Sequence, residues 1–256
     1  MKRLYKYLLN TLPRPLLIRL SYIFKQFAPL LYRGDKVECP VCDRKFSKFL
    51  SYGSDVAHRE NVLCPYDLTL ERHRLMWLYL RDYSDFFTAP SLSVLHMAPE
   101  QCFIERFKKQ KNLTYTTTDL NSPIADVKAD ICDLPFKDNS FDFIICNHVL
   151  EHIPDDTKAM QELYRVLAPS GTAVVQVPYD AKREITFEDN TITDQSERTR
   201  IFGQYDHLRV YGMDYFKKLS SIGFNVNALD YTSGISSDDI ERYRLCKGEL
   251  LPVCKK

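Results

Sequence analysis

Apolar and polar positions change their period several times along the chain, and each change marks an element. Leu92 to Ala98 and Phe141 to Cys146 are short apolar runs, as strands buried on both faces present. The second follows the turn Asp138-Asn139-Ser140. From Asp155 the spacing turns helical, with apolar residues at Ala159, Leu163, Val166 and Leu167. Two acids stand at its start, where the helix dipole favours them. Ser170-Gly171 predicts the end of that helix, and β-branched Thr172 to Val177 a further strand. Strand, helix and strand make a βαβ unit with parallel, neighbouring strands. Ligands of such sheets bind beyond the carboxyl ends of the strands, where this chain carries Asn147, His148, Glu151 and His152.

The same reading predicts a strand over Leu113 to Asp119, ending in a carboxylate, and a third over Asp126 to Ile131. Pro99 at the first helical position, with Glu100 and Gln101 behind it, opens a helix. Gly212 to Ile222 predicts another, stopped by Gly223, and Phe224 to Tyr231 and Glu241 to Cys254 the closing strands. Tyr179 to Tyr211 is polar without clear period, a length that marks functional or disordered loops. Leu70 to Tyr83 is a helix leading into the main domain, with Arg72, His73 and Arg74 expected in solvent. Upstream, Leu16, Leu20, Ile23, Phe24, Phe27 and Leu31 form the stripe of an amphipathic basic helix. It either packs on its own domain or a partner, or lies on anionic lipid. The domains are then an arm over 1–36, a module with linking helix over 37–84, and a doubly wound, mostly parallel α/β domain over 85–256.

Composition narrows the class. The chain has 256 residues and a formal charge of +1, which opposes general polyanion binding and makes a nucleic-acid partner an unfavoured reading. Residues 1–34 nonetheless hold seven Lys or Arg and no acid, the basis for a peripheral membrane contact. Eight cysteines in a chain this long do not describe a secreted disulfide scaffold, and Cys102, Cys132 and Cys146 fall in or beside core elements. A reducing, cytoplasmic location is expected. No apolar run reaches membrane-spanning length.

Two short Cys spacings carry separate chemistry. Cys39-Pro-Val-Cys42 is followed, after twenty-one residues, by Cys64-Pro-Tyr-Asp67. Paired knuckles close a tetrahedral zinc site when four donors converge, and zinc accepts carboxylate as well as thiolate. Cys39, Cys42, Cys64 and Asp67 are therefore candidate ligands, with His58 and His73 as spare donors.

The run from Phe141 to Asp155, the following Leu163-Tyr-Arg-Val-Leu-Ala-Pro-Ser-Gly171, and the preceding Asp130-Ile-Cys-Asp-Leu-Pro-Phe-Lys-Asp-Asn-Ser140 resemble the central block of class I S-adenosylmethionine-dependent methyltransferases. The resemblance covers about residues 92 to 232. It implies a seven-stranded sheet and methyl transfer from S-adenosylmethionine to an acceptor that the residues do not identify. It also implies cofactor contacts from the turn bearing His96, Ala98 and Glu100. Asp119 with Leu120 would meet the ribose, Asp130 and Ile131 the adenine, and Asn147 and His148 the edge beyond the central strand. Where that family has a glycine-rich turn, this chain reads His96-Met-Ala-Pro-Glu-Gln-Cys102, without glycine. The departure leaves open a rival: a methyltransferase-like shell serving as a non-catalytic adaptor. The Cys segment resembles a zinc-ribbon-like module found ahead of some bacterial methyltransferase domains, whose second knuckle has two cysteines where this chain has Asp67. Gly203-Gln-Tyr-Asp-His-Leu-Arg209 is similar to segments at the same place in related methyltransferases. It makes His207 a candidate base acting on the acceptor, Asp206 its companion, and Arg209 a holder of an anionic group.

Overall fold

In a computed structural model the described residues are 12, 13, 16, 20, 27–53 and 58–256. The chain divides into two compact units. One comprises Met1–Trp77 with Ile235–Cys246, the other Leu78–Gly234 with Lys247–Lys256.

In the first unit, strands β1 (Arg33–Cys39) and β2 (Arg44–Phe46) pair antiparallel, as do β3 (Leu50–Tyr52) and β4 (Arg59–Leu63). Helix α1 (Glu71–Asp82) follows, and the division between units falls inside it. Val37, Val41, Phe46, Phe49, Val62, Leu70, Leu75 and Met76 are among the unit's buried apolar residues. His73 and Arg74 are buried as well, not solvated as expected. The His73 Nδ1 accepts the Leu70 amide at 3.0 Å. Arg74 donates to the carbonyls of Val62, Thr69, Tyr243 and Arg244, so its charge serves the chain's own backbone. Those last two contacts are why residues 235–246 belong to this unit rather than to a continuous domain over 85–256. Most of the expected basic helix lies outside the described residues. Residues 27–31 are helical, with Phe27, Leu30 and Leu31 exposed.

The second unit is built on β5 (Leu92–Met97), α2 (Gln101–Lys108), β6 (Leu113–Asp119), β7 (Val127–Lys128), β8 (Phe141–Asn147), α3 (Asp156–Val166) and β9 (Leu167–Gln176). After these come β10 (Phe187–Glu188), α4 (Gln195–Phe202), β11 (Arg209–Val210), α5 (Tyr215–Ile222), β12 (Asn225–Asp230) and β13 (Leu250–Lys255). Helix α6 (Ser237–Tyr243) between the last two strands lies in the first unit. Seven strands form one sheet in the order β12-β13-β9-β8-β5-β6-β7. All pairs are parallel except those made by β13. This is the expected doubly wound, mostly parallel sheet, and its order reverses between β5 and β8, where such sheets bind ligands.

The central βαβ unit forms for the predicted reasons. Asn139 takes the left-handed φ of 57° that turns the chain into β8. Asp155 caps α3 by accepting the Lys158 amide at 2.9 Å. Ala159, Met160, Leu163 and Val166 bury one face, each large side chain contributing about 1.5–3 kcal/mol. The helix ends at Val166, before the predicted stop, and Leu167 already pairs with Phe141 of β8. Gly171 is required by crowding, because a Cβ there would stand 2.8 Å from the Ala168 carbonyl.

Three expected elements differ. The third strand shrinks to Val127–Lys128, because Asp126 Oδ2 turns back to accept from the Thr117 amide and hydroxyl. The predicted strand from Glu241 starts as α6, whose cap is Ser236 accepting the Asp239 amide. Pro99 precedes α2, with Glu100 at the N-cap. The segment 179–211 carries its own structure. Asp194 caps α4, Gly203 ends it with φ 91°, and β10 pairs with β11. Among the described residues no helix is long and apolar enough to cross a membrane.

Candidate active site and Cys knuckle

The carboxyl ends of β5, β6, β8 and β9 bring Met97, Asp119, Asn147 and Gln176 to one edge. After Met97 the chain turns through Ala98, whose φ of 45° is left-handed, a conformation that glycine adopts at no steric cost. The turn therefore keeps a glycine's backbone without glycine. Glu100 stands behind it, with Oε1 accepting from Asn147 Nδ2 at 3.0 Å and Oε2 2.5 Å from His96 Nε2. His96 does not line the edge as expected. It is fully buried between Phe103, Phe107 and Tyr115, with Nδ1 2.7 Å from the Tyr115 hydroxyl. Both ring nitrogens are occupied, so it fixes Glu100 rather than touching a ligand itself.

Asp119 Oδ1 accepts the amides of Asn121 and Ser122 at 2.7 and 2.6 Å, which fixes the carboxylate at the end of β6. Leu120 beside it is exposed. Asp130 Oδ1 accepts the Cys132 amide at 2.8 Å, and Ile131 between them is buried. Several buried polar atoms near these strand ends have no hydrogen-bond partner: Thr118 Oγ1, Ser122 Oγ, Gln176 Oε1, both Glu151 carboxylate oxygens and His207 Nε2. Each orphaned buried group costs about 1–3 kcal/mol, so their concentration at one edge fits a place that a polar ligand completes.

Past β8, His148 takes a left-handed φ of 52° and a 3-10 turn, Leu150–His152, follows. It buries Glu151 completely. Against this turn lies the segment after α4, tied by the Leu208 amide to the Glu151 carbonyl at 2.9 Å. His207 thereby meets His152 edge-on, with ring centroids 4.8 Å apart. Asp206 faces His152, Oδ2 to Nδ1 3.4 Å, rather than the adjacent His207. His207 is buried, and its Nδ1 lies 3.1 Å from the Phe202 carbonyl. Burial, the largest influence, lowers the His207 pKa despite the nearby Glu151 carboxylate. Burial raises that of Glu151, but His148, 3.2 Å away, and His152 outweigh it and hold the carboxyl below its ordinary range. The result is a neutral imidazole beside a carboxylate.

Arg209 departs from its expected role. It is buried, donating to the carbonyls of Leu150, Ile153 and Pro154 and to Glu188 Oε2. A guanidinium spent on three carbonyls and a carboxylate is a brace for the turn, not a hook for an anionic substrate. Glu151 and His152 are the residues that sequence reasoning placed at the edge without assigning a role. The signal was the spacing His148-x-x-Glu151-His152 behind a buried strand.

In the other unit, Cys39, Cys42, Cys64 and Asp67 offer donor atoms all within 4.8 Å of one another. The Cys42 and Cys64 sulfurs are 3.9 Å apart, close to the edge of about 3.8 Å that a tetrahedron with zinc–sulfur bonds of about 2.3 Å requires. Cys39 Sγ is 3.5 Å from Asp67 Oδ2, while Asp67 Oδ1 accepts from the amide and hydroxyl of Thr69. That second contact aims the other carboxylate oxygen at the thiols. Burial opposes a thiolate at Cys39, yet hydrogen bonds from Cys42 and Cys64 and the Arg74 charge hold its pKa well below the ordinary range. Burial and then Cys39 push the Cys64 thiol up. His58 and His73 stand outside this cluster.

A family model described as a methyltransferase domain matches residues 86–175, from the segment before β5 to Val175 of β9. The chain carries a methyltransferase domain. Curated relatives are similar over short stretches within their lengths. The demethylmenaquinone methyltransferase of Staphylococcus carnosus (strain TM300) is 47% identical over 53 residues, 21% of this chain and 22% of that protein. The 2-phytyl-1,4-naphtoquinone methyltransferase of Nostoc sp. (strain PCC 7120) is 42% identical over 52 residues, 20% of this chain and 23% of that protein. This chain thus aligns with only about a fifth of the length of the relatives it matches. A solved S-adenosylmethionine-dependent methyltransferase from Mesorhizobium loti shares 14% identity at a TM-score of 0.49, covering 70% of this chain and 97% of that one. The matched residues run from β5 into β9 and include the strand ends Met97, Asp119 and Asn147 of the site.

Proposed function

We propose that the second unit binds S-adenosylmethionine at the strand ends and transfers its methyl group to an acceptor entering beside Glu151, His152 and His207. The observation that carries this reading is the gathering of orphaned buried polar atoms at the carboxyl edge of a methyltransferase domain. Asp119 would hold the ribose hydroxyls, Asp130 and Ile131 would flank the adenine, and Glu100 with Asn147 would face the methionine end. The cofactor supplies an already activated methyl, so the chain's own contribution is alignment, with about 7–11 kcal/mol of barrier available from orientation alone. Ala98 keeps the backbone turn that lets the methionine end approach.

Titration calorimetry with S-adenosylmethionine tests the reading and separates it from the adaptor alternative. Binding in the micromolar range, roughly −8 kcal/mol, and a loss of about tenfold or more in Asp119→Ala are expected. No heat and no thermal shift from excess cofactor would leave the adaptor. With an acceptor in hand, His207→Ala should keep cofactor affinity within about twofold while turnover falls roughly 10²-fold. Unchanged turnover would make His207 a purely structural residue.

We further propose one structural zinc in the first unit, held by Cys39, Cys42, Cys64 and Asp67. The spacings of 3.9 and 3.5 Å between donor atoms support it.

A further inference from the structure

The cluster past β8 contains three potential ligands whose geometry the methyl-transfer reading does not by itself require. Glu151, His152 and His207 each offer a donor atom, and these lie within 4.8 Å of one another. Glu151 is fully buried, neither carboxylate oxygen has a hydrogen-bond partner, and His207 Nε2 is likewise buried without one. Burying a carboxylate with no donor is costly unless a cation meets it. Its nearest charge partner is His148, whose Nδ1 lies 3.2 Å from Oε1.

The surroundings also set the tautomers. His207 Nδ1 sits 3.1 Å from the Phe202 carbonyl, a contact that needs its proton and leaves Nε2 as a bare lone pair. His152 Nδ1 lies 3.4 Å from the Asp206 backbone carbonyl and 3.4 Å from Asp206 Oδ2, either of which can take that ring's proton in the same way. Histidines that bind metals hand their other N–H to a carbonyl or carboxylate, and both rings have such a receiver here. Arg209, spanning the carbonyls of Leu150, Ile153 and Pro154, holds the turn carrying two of the donors.

We propose that Glu151, His152 and His207 bind a divalent transition-metal ion of the zinc, cobalt or manganese class. Two imidazoles and one carboxylate suit such ions and leave coordination positions open. Bonds of about 2.1 Å place ligand atoms about 3.4 Å apart in a tetrahedron, so binding draws the three side chains together. Cation binding here is independent of the cofactor. Its use rests on the methyl-transfer reading: an ion at this edge would polarise an oxygen acceptor, which points to a hydroxyl-bearing acceptor.

The test uses the full chain with its Cys knuckle loaded with zinc, titrated with cobalt(II) and followed by calorimetry and visible absorption. A nitrogen- and oxygen-ligated ion gives ligand-field bands without the near-ultraviolet charge transfer of thiolate ligation, so the two sites are read separately. About one further equivalent should bind, and Glu151→Gln and His207→Ala should each weaken it at least about tenfold. Thermal melts of the same samples show whether each variant is folded. If either variant is not, His152→Ala, at a part-exposed ligand, should weaken cobalt binding at least about tenfold in its place. No uptake beyond the knuckle site by the wild type, or equal uptake by wild type and folded variants, would overturn the proposal and leave Glu151 balanced by imidazoles alone. Because no cofactor is present, failure here is distinct from failure of S-adenosylmethionine binding.

Discussion

With the proposed zinc at Cys39, Cys42, Cys64 and Asp67, chelation should unfold the first unit, the largest effect expected in this protein. Its strands form only two-stranded ribbons, which are marginal in water by themselves. Its buried apolar set, with Phe46 and Phe49 edge-on at 6.0 Å, is small for a unit interrupted by two knuckles. Structural zinc contributes apparent folding energies of about 10–16 kcal/mol in comparable small modules, more than such a core supplies. Protein purified without chelator should carry about one zinc at the knuckle, beyond any ion at the Glu151 cluster. Cys42→Ser should lose that zinc and the lower-temperature transition in calorimetry, while Asp67→Cys should retain both. A chelated, metal-free chain with unchanged near-ultraviolet dichroism and both transitions intact would show that the thiols pack without metal.

Much of the second unit was legible because local pattern and tertiary need agree there. Phe141–Asn147 is apolar on both faces and lies mid-sheet, and α3 has its cap, period and crossover length in one stretch. The knuckle was legible for a similar reason, since its ligand spacing is local in sequence. Where the reading failed, side chains acted over long separations. Nothing near Arg74 announces that Tyr243 and Arg244 supply its acceptors, so both its burial and the excursion of 235–246 into the first unit were hidden. Glu241 falls in a helix rather than at the start of a strand, because Ser236 caps the helix that runs from Ser237 to Tyr243. The turn at Ala98 looked incompatible with a cofactor through its missing glycine, yet the backbone takes the left-handed conformation there without one. In the segment after α4 the expected companionship of Asp206 with His207 does not form, since Asp206 faces His152. Asp206 and His207 point to different partners because Asp206 sits in the turn after α4 and His207 just beyond it, and the chain closes the cluster through Glu151 and His152, more than fifty positions upstream.

Arg209→Met should destabilise the second unit by about 3–5 kcal/mol, the usual cost of removing one member of a buried charged network. The side chain is 1% exposed and satisfies the carbonyls of Leu150, Ile153 and Pro154, the backbone that carries Glu151 and His152. Methionine fills similar volume but donates nothing, so three carbonyls and Glu188 lose their donor together. Asp156, 3.7 Å from Arg209 Nε, would keep Lys218 at 3.6 Å, the Tyr211 hydroxyl at 2.7 Å and the Thr157 hydroxyl at 3.5 Å. A unit of this size should melt roughly 6–20 °C lower. Arg209→Lys retains charge but not the planar fork, and should recover only a minority of the loss. The competing expectation from sequence, an arginine that grips an anionic acceptor, makes the opposite forecast: an unchanged melting temperature with a raised KM. Melting curves of the two variants therefore decide between brace and hook before any acceptor is known. A shift under about 2 °C in Arg209→Met would reject the brace, since lost buried hydrogen bonds of this number cannot be silent.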